Sequence, residues 1–335
     1  MRHRAPAARL PAWSLAVTAM LAVQLSAASS VGLIEQVGAA GTAWLRLSAG
    51  ALLFLVIVRP PLRSLRRRDV PAVLALGVTT AVMTLAFLGA IERIPLGTAV
   101  AIEFLGPLTV AVIGSRARAA IWPLLALIGV MLITEPWHGS VNLSGVGLAA
   151  LAGASWAAYI LLTRRVGSRF DGLQGLSMTI PVAAVAAAIV GAPSALPYIT
   201  PSVLLWALAL GALAPLLAFA LEMGAIRRMT NTAFGTLMAA EPGIGLLLGT
   251  LVLHQIPTLP QIAGIAIVII AGAAAQVGAP DAPARPDHPV DGDRPRPHLP
   301  ASPLRRELDD DSHDRRHPPT DPELKELDHH DPLPR

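Results

Sequence analysis

The fold of this chain is set by two stretches that lie 135 positions apart. The first reads GAIERIPLGTAVAIEFLGP (residues 89–107), and the second reads GAIRRMTNTAFGTLMAAEPG (residues 224–243). Each stretch places a glutamate shortly before a proline inside an apolar run. With the offset of 135 and no gap, identical residues coincide at Gly89, Ala90, Ile91, Arg93, Pro107, Gly114, Ile121 and Gly129 and at Gly224, Ala225, Ile226, Arg228, Pro242, Gly249, Ile256 and Gly264. Matching interrupted helices in two halves of a membrane chain are typical of a transporter with its binding site between the repeats.

The composition around these stretches indicates a membrane protein. Of the 335 residues, 53% are hydrophobic and only 14% are charged, whereas soluble domains carry roughly 25% charged residues. The net charge of +4 comes from short arginine clusters between apolar runs, which is a pattern of cytoplasmic loops rather than of a nucleic-acid partner. The chain has no cysteine, so disulfides, thiol nucleophiles and cysteine metal sites are excluded.

Apolar runs long enough to cross a bilayer recur along the chain. A span needs about 20 mostly apolar residues, and its backbone must form hydrogen bonds within the span, so each is predicted to be a helix. The sequence therefore predicts an all-α polytopic membrane protein with ten transmembrane helices, at approximately residues 12–32, 40–58, 70–89, 95–114, 119–135, 143–163, 173–191, 202–225, 232–252 and 259–278.

The arginines predict the orientation of these helices. If the N-terminus is cytoplasmic, Arg93 alone lies in an outer loop, and the inner loops hold Arg2, Arg4, Arg9, Arg59, Arg63, Arg66, Arg67, Arg68, Arg116, Arg118, Arg164, Arg165, Arg169, Arg227 and Arg228. Because positive residues accumulate in cytoplasmic loops, both termini are predicted to be cytoplasmic.

The repeat and the span count together predict the domain organisation. Five spans per half is an odd number, so the second half enters the membrane in the opposite sense and the repeat is inverted. We expect a first five-helix repeat at residues 1–136 and a second at residues 137–279. Residues 280–335 are rich in Pro, Asp, Arg and His, and we expect a disordered cytoplasmic tail because such a segment has little apolar surface to bury.

Ionisable residues inside spans are the first candidates for function, because a charge near the centre of a bilayer costs at least ~2.5 kcal/mol. Glu103 and Glu241 lie near mid-span, on corresponding helices of the two repeats. They could line a substrate cavity, where one or both would bind an ammonium group or exchange a proton, since burial favours the neutral form of a carboxyl group. The alternative is a structural role, in which each carboxylate holds a neighbouring helix beside a proline break.

Two further charged residues leave alternatives open. Arg46 could bind a carboxylate through its two-pronged guanidinium group, or its side chain could reach outward to the membrane surface. Glu222 could take part in substrate binding, or form a local ion pair with Arg227 or Arg228. The two prolines, Pro107 and Pro242, are predicted to break their helices because proline removes a backbone hydrogen bond.

Neutral polar and aromatic residues fall in the leading spans of the two halves. Trp156 and Tyr159 lie within the sixth span and are candidates for a cavity wall, although aromatic residues also anchor helices at membrane interfaces. Small and hydroxyl residues often serve only helix packing. The remaining residues of this group are Gln24, Ser29, Ser30 and Ser155. The sequence contains no phosphate loop, nucleophile elbow or zinc-protease motif, so we expect neither enzyme activity, a cofactor nor a metal.

Five stretches resemble a known family. They are IPLGTAVAIEFLGPL (residues 94–108), GASWAAYIL (residues 153–161), and LEM (residues 221–223) followed by TAFGTLM (residues 232–238) and Glu241-Pro242. Together they resemble the drug/metabolite transporter superfamily, EamA type, and within it the bacterial threonine/homoserine exporters. The resemblance covers approximately residues 12–278 and excludes the tail. It matches Glu103, Glu222 and Glu241 to acidic positions typical of that family.

The resemblance implies a function that the residues alone do not give. It implies a secondary transporter in the bacterial plasma membrane that exports small neutral amino acids in exchange for protons, with the proton gradient as the driving force. An exporter of another metabolite or drug is one alternative, although aromatic residues are only 4% of the chain and favour a small cargo. A non-transporting scaffold that recruits a partner through the tail is another, and a lipid-modifying enzyme is a weaker third. The oligomeric state stays open.

Overall fold

The computed structural model describes residues 11–60, 65–113, 121–138, 141–166 and 172–277. All regular structure within these ranges is helical. The helices are α1 (Ala12–Ile57), α2 (Val70–Ile91), α3 (Leu96–Glu103), α4 (Leu105–Val112), α5 (Ile121–Thr134), α6 (Leu143–Val166), α7 (Gly172–Ala195), α8 (Pro201–Gly211), α9 (Ala218–Ile226), α10 (Asn231–Met238), α11 (Glu241–Leu253) and α12 (Leu259–Val277). The expected tail lies outside the described residues.

Seven helices in the described part of the chain are long and apolar enough to cross a membrane. Two shorter apolar stretches, Leu96–Val112 and Ile121–Thr134, coincide with the predicted fourth and fifth spans. The predicted first and second spans both fall within α1, whose 46 residues exceed the length of one span. The all-helical membrane architecture agrees with the sequence, and the count of ten spans stays a prediction.

Helix α1 folds back on itself at Gly38. This residue has a φ of 75° and a ψ of 164°, a conformation that glycine adopts readily because it has no Cβ atom. Arg46 Nη1 lies 3.5 Å from Ser30 Oγ. In a straight helix these residues would be about 24 Å apart along the axis, at 1.5 Å per residue. The two arms, residues 12–37 and 39–57, are therefore antiparallel, as the predicted pair of spans requires.

The two stretches that dominate the sequence form interrupted helices. One breaks at Phe104, between α3 and α4, three residues before Pro107. The other breaks between α10 and α11, and Pro242 occupies the first turn of α11. Helices α3 and α10 correspond residue for residue under the offset of 135. These interruptions place backbone polar groups and two glutamates in the interior of the helix bundle.

A reciprocal contact joins two glycines that are equivalent under the repeat. A Cβ atom added to Gly264 would lie 2.5 Å from the carbonyl oxygen of Gly129, and one added to Gly129 would lie 2.7 Å from the carbonyl oxygen of Gly264. Mutual contact between equivalent positions is the signature of a two-fold axis. Helices α5 and α12 pack closely through this pair. The contact favours an inverted repeat, which itself stays a prediction.

Candidate functional site

The centre of the site is a hydrogen bond between the first arm of α1 and the start of α11. Gln24 Nε2 donates to Glu241 Oε1 over 3.1 Å. Both side chains are buried, Gln24 at 1% and Glu241 at 4% exposure. Glu241 occupies the first turn of α11, where the partial positive charge of the helix N-terminus stabilises a carboxylate. Gln24 and this helix end therefore hold Glu241 in the interior.

Arg46 brings a positive charge to the same region from the second arm of α1. Its Nη1 donates to Ser30 Oγ at 3.5 Å, and the Ser30 hydroxyl donates to the carbonyl oxygen of Ser26 at 2.7 Å. Arg46 also interacts electrostatically with Glu103, the last residue of α3. The guanidinium group is thus directed into the bundle, and its binding of a carboxylate stays a prediction.

The charged residues form a connected set rather than isolated pairs. Glu103 interacts electrostatically with Arg46 and with Glu241. Glu241 interacts in turn with Glu222, and Glu222 interacts with Tyr159. These candidates come from several different helices. Tyr159 lies at one end of the set, where its ring packs beside an apolar cluster formed by Val73, Leu76 and Met178.

The break between α3 and α4 is held against α6 by backbone contact. A Cβ atom on Gly153 would lie only 2.8 Å from the carbonyl oxygen of Glu103, and one on Gly106 would lie 2.0 Å from the carbonyl oxygen of Gly153. Trp156, one turn further along α6, meets Phe104 edge to face with ring centroids 6.4 Å apart. Trp156 thus contacts the helix break itself, next to Glu103.

The set carries more negative than positive charge when it is ionised. The set holds one guanidinium group, Arg46, and three carboxyl groups, Glu103, Glu222 and Glu241, of which Glu103 interacts with Arg46. Removing uncompensated charge from water is costly. Full neutralisation of the set would take protons or a cationic group. Within the described residues, no group of three or more His, Cys, Asp or Glu side chains is arranged to hold a metal ion.

The sequence-based site residues separate into those that interact through their charges and those that frame the site. Arg46, Glu103 and Glu241 form one chain of such interactions, which continues through Glu222 to Tyr159. Sequence reasoning assigned Gln24 and Ser30 no site role, although both contact this centre. The signal for Gln24 was a primary amide in the middle of an apolar span, where an unpaired polar group is expensive.

The fold and this interior charge set define a polytopic membrane protein with a polar centre, and comparison with known proteins identifies the family. The profile of the EamA-like transporter family matches residues 143–274. The threonine/homoserine exporter RhtA of Salmonella typhimurium (strain SL1344) is 33% identical over 275 residues, covering 78% of this chain and 91% of the exporter. RhtA of Escherichia coli (strain K12) is 32% identical with the same coverage. The chain belongs to the EamA-like transporter family.

A solved structure supports the fold independently of close sequence similarity. The crystal structure of another protein superposes on this chain with a TM-score of 0.55 at 20% sequence identity. The superposition covers 79% of this chain and 95% of that protein's chain. The chain is a multi-pass inner-membrane protein of the exporter class, since its long apolar helices and its relatives agree.

Proposed function

We propose that this protein exports small neutral amino acids such as threonine and homoserine across the bacterial plasma membrane in exchange for protons. The observation that carries the proposal is the interior charge set, in which Arg46 is outnumbered by carboxyl groups. An amino acid brings an ammonium group for Glu103 or Glu241 and a carboxylate group for Arg46. The relatives named as threonine/homoserine exporters supply the cargo.

Competition between a proton and the substrate ammonium group for one carboxylate explains how efflux would be coupled to protons. A proton and a substrate ammonium group neutralise the same carboxylate, so both cannot be bound to it together. A proton that arrives from outside therefore releases the substrate, and a substrate that arrives from the cytoplasm displaces the proton. The binding of each depends on the other by linkage, which is the requirement for antiport.

An asymmetry between the equivalent helices α3 and α10 supports alternating access. All eight residues of α3 are buried, whereas Thr232–Met238 of α10 are half-buried or exposed. Helix α3 packs on α11, where a Cβ atom on Gly97 would lie 3.0 Å from Leu246 Cα. Gln255 Oε1 accepts a hydrogen bond from the Leu96 backbone at 3.0 Å. Helix α3 is therefore enclosed by its neighbours, whereas α10 is partly exposed.

The topology that accompanies this proposal has ten spans with both termini in the cytoplasm. The domains are the repeats at residues 1–136 and 137–279, and the tail at residues 280–335 is cytoplasmic. In this orientation the enclosed helix α3 lies in the outer half of the membrane and the partly exposed helix α10 in the cytoplasmic half, as expected of a transporter that is open to the cytoplasm. The opposite state would bury α10 and expose α3, since related repeats exchange their arrangements.

Efflux from preloaded cells tests the function. Cells with and without the protein are loaded with a threonine-containing dipeptide, and threonine and homoserine appearing outside are measured over time. We expect faster threonine release from cells that contain the protein, and loss of the difference when the proton gradient is collapsed. Equal release, with the protein shown to be in the membrane, would reject this cargo and leave the family membership intact.

A further inference from the structure

Two oxygen atoms at the centre of the site have no hydrogen-bond partner within the described residues. They are Gln24 Oε1 and Glu241 Oε2, and both are buried. They belong to the two side chains that are already joined through Gln24 Nε2 and Glu241 Oε1. Buried polar atoms are nearly always paired in folded proteins, so two unpaired acceptors in one place indicate a missing donor.

We propose that Gln24 and Glu241 together form the receptor for a primary ammonium group. The amide N–H of Gln24 fixes the orientation of the Glu241 carboxylate and leaves its second oxygen free. The amide oxygen of Gln24 is then a second acceptor on the same pair of side chains. An ammonium group has three N–H donors and no acceptor, so it can donate to both oxygens at once.

The chemistry of the two acceptors sets the class of ligand. A carboxylate or phosphate group would meet two oxygens with no proton to share, and like charges in an apolar interior repel strongly. A quaternary ammonium group carries the charge but has no N–H to donate. The receptor therefore discriminates between a primary and a fully methylated amine. This assignment rests on the proposed amino-acid export and adds the residue that selects the amine.

Ligand binding to the full-length protein in lipid nanodiscs tests the proposal, with isothermal titration calorimetry as the readout. The probes are threonine, threoninol, which keeps the amine and lacks the carboxylate, and N-trimethylthreonine, which lacks N–H donors on its nitrogen. We expect the wild-type protein to bind threonine and threoninol and to bind the trimethyl compound at least tenfold more weakly. Equal affinity for threonine and its trimethyl derivative would overturn the proposal without any variant.

The variant Gln24→Met removes both polar atoms while keeping the length of the side chain. We expect it to weaken the binding of threonine and of threoninol by about tenfold or more, the loss expected of a hydrogen bond to a charged group. The matched control is Gln36→Met, the same change at an exposed position of α1, where Gln36 Nε2 donates to the Gly32 carbonyl. The control should bind as the wild type does.

The outcomes separate this inference from the proposed function. Threonine binding that is unchanged in Gln24→Met rejects the receptor and leaves amino-acid export standing. Absence of binding for every amine in the wild-type protein rejects both. Selective loss of the two primary amines in Gln24→Met, with the control intact, supports both.

Discussion

Glu103 and Glu241 lie on corresponding interrupted helices, yet their local surroundings differ at the level of single residues. Glu241 begins α11 and accepts a hydrogen bond from Gln24. Glu103 ends α3, where the helix terminus carries partial negative charge, and it depends on Arg46 for compensation. The two carboxyl groups therefore have different electrostatic partners, although either can be neutralised by a proton or by an ammonium group.

Replacing either carboxyl group with its amide tests these roles. We expect Glu103→Gln and Glu241→Gln each to lower threonine efflux driven by the proton gradient by about tenfold or more, because a glutamine cannot release a proton. Efflux assays with quantified membrane protein measure the effect. The control is Glu35→Gln, since Glu35 is exposed near the turn of the α1 hairpin. Full activity in both interior variants would exclude a proton role for them.

The dependence of Glu103 on Arg46 predicts an energetic coupling. Arg46→Met alone leaves the carboxyl groups without their cation and should lower thermal stability in detergent. The double variant Arg46→Met with Glu103→Gln should recover part of that loss, giving a coupling energy of about 1 kcal/mol, within the range for residues in one electrostatic network. Thermal unfolding of the wild-type protein, the two single variants and the double variant measures this coupling energy. Strictly additive effects would show that the two charges do not interact.

At the scale of helices, the site depends on how closely α6 approaches the break between α3 and α4. Because Gly153 has no side chain, α6 contacts the backbone at Glu103. Trp156, also on α6, packs against Phe104. Small residues permit such backbone approach in membrane helix packing. The position of Glu103 is therefore set by a neighbouring helix as well as by its own.

Adding one methyl group at Gly153 tests whether the close approach of α6 to the Glu103 backbone is required. We expect Gly153→Ala to destabilise the protein by about 1–3 kcal/mol, as overpacking does, and to reduce efflux because the Glu103 backbone must shift. Gly147→Ala, on the same helix, is the control, since a Cβ atom there meets nothing within 4 Å. Thermal unfolding and efflux are compared. Equal behaviour of the two variants would show that the close approach is not required.

At the scale of the whole molecule, the natural absence of cysteine allows the proposed topology to be mapped directly. Glu35→Cys lies at an exposed position expected outside, and Arg227→Cys lies at an exposed position expected in the cytoplasm. We expect a membrane-impermeant maleimide to label Glu35→Cys in intact cells, and Arg227→Cys only after permeabilisation, because a charged reagent does not cross the bilayer. The reverse pattern would place both termini outside.

Alternating access predicts that cysteines at equivalent positions of the two repeats differ in their reactivity. Ala101 of α3 is fully buried, whereas Thr236 of α10 is half-buried. In permeabilised cells, Thr236→Cys should react with a maleimide several-fold faster than Ala101→Cys, because thiol reactivity requires access. Saturating substrate should reduce the difference. Equal reaction rates at the two positions, unchanged by substrate, would contradict the proposed state that is open to the cytoplasm.

The amino-acid sequence is sufficient to establish a helical membrane protein with a few ionisable residues inside its apolar spans. Lipid cannot satisfy an unpaired backbone group or an isolated charge, so long apolar runs must be helices, and Glu103, Glu241 and Arg46 must have partners or a function. The offset of 135 likewise identifies the two interrupted helices from the order of residues alone. These properties are local, and each can be recognised in a short window of the chain.

Which side chains meet depends on the tertiary structure. The bond from Gln24 to Glu241 joins residues 217 positions apart, and the reversal at Gly38 is what brings Arg46 to Ser30. The reciprocal contact of two glycines between α5 and α12 depends in the same way on how two helices cross. Such pairings follow from the rotation and close approach of whole helices, because a side chain's partner across a bundle is set by packing and not by its neighbours in sequence.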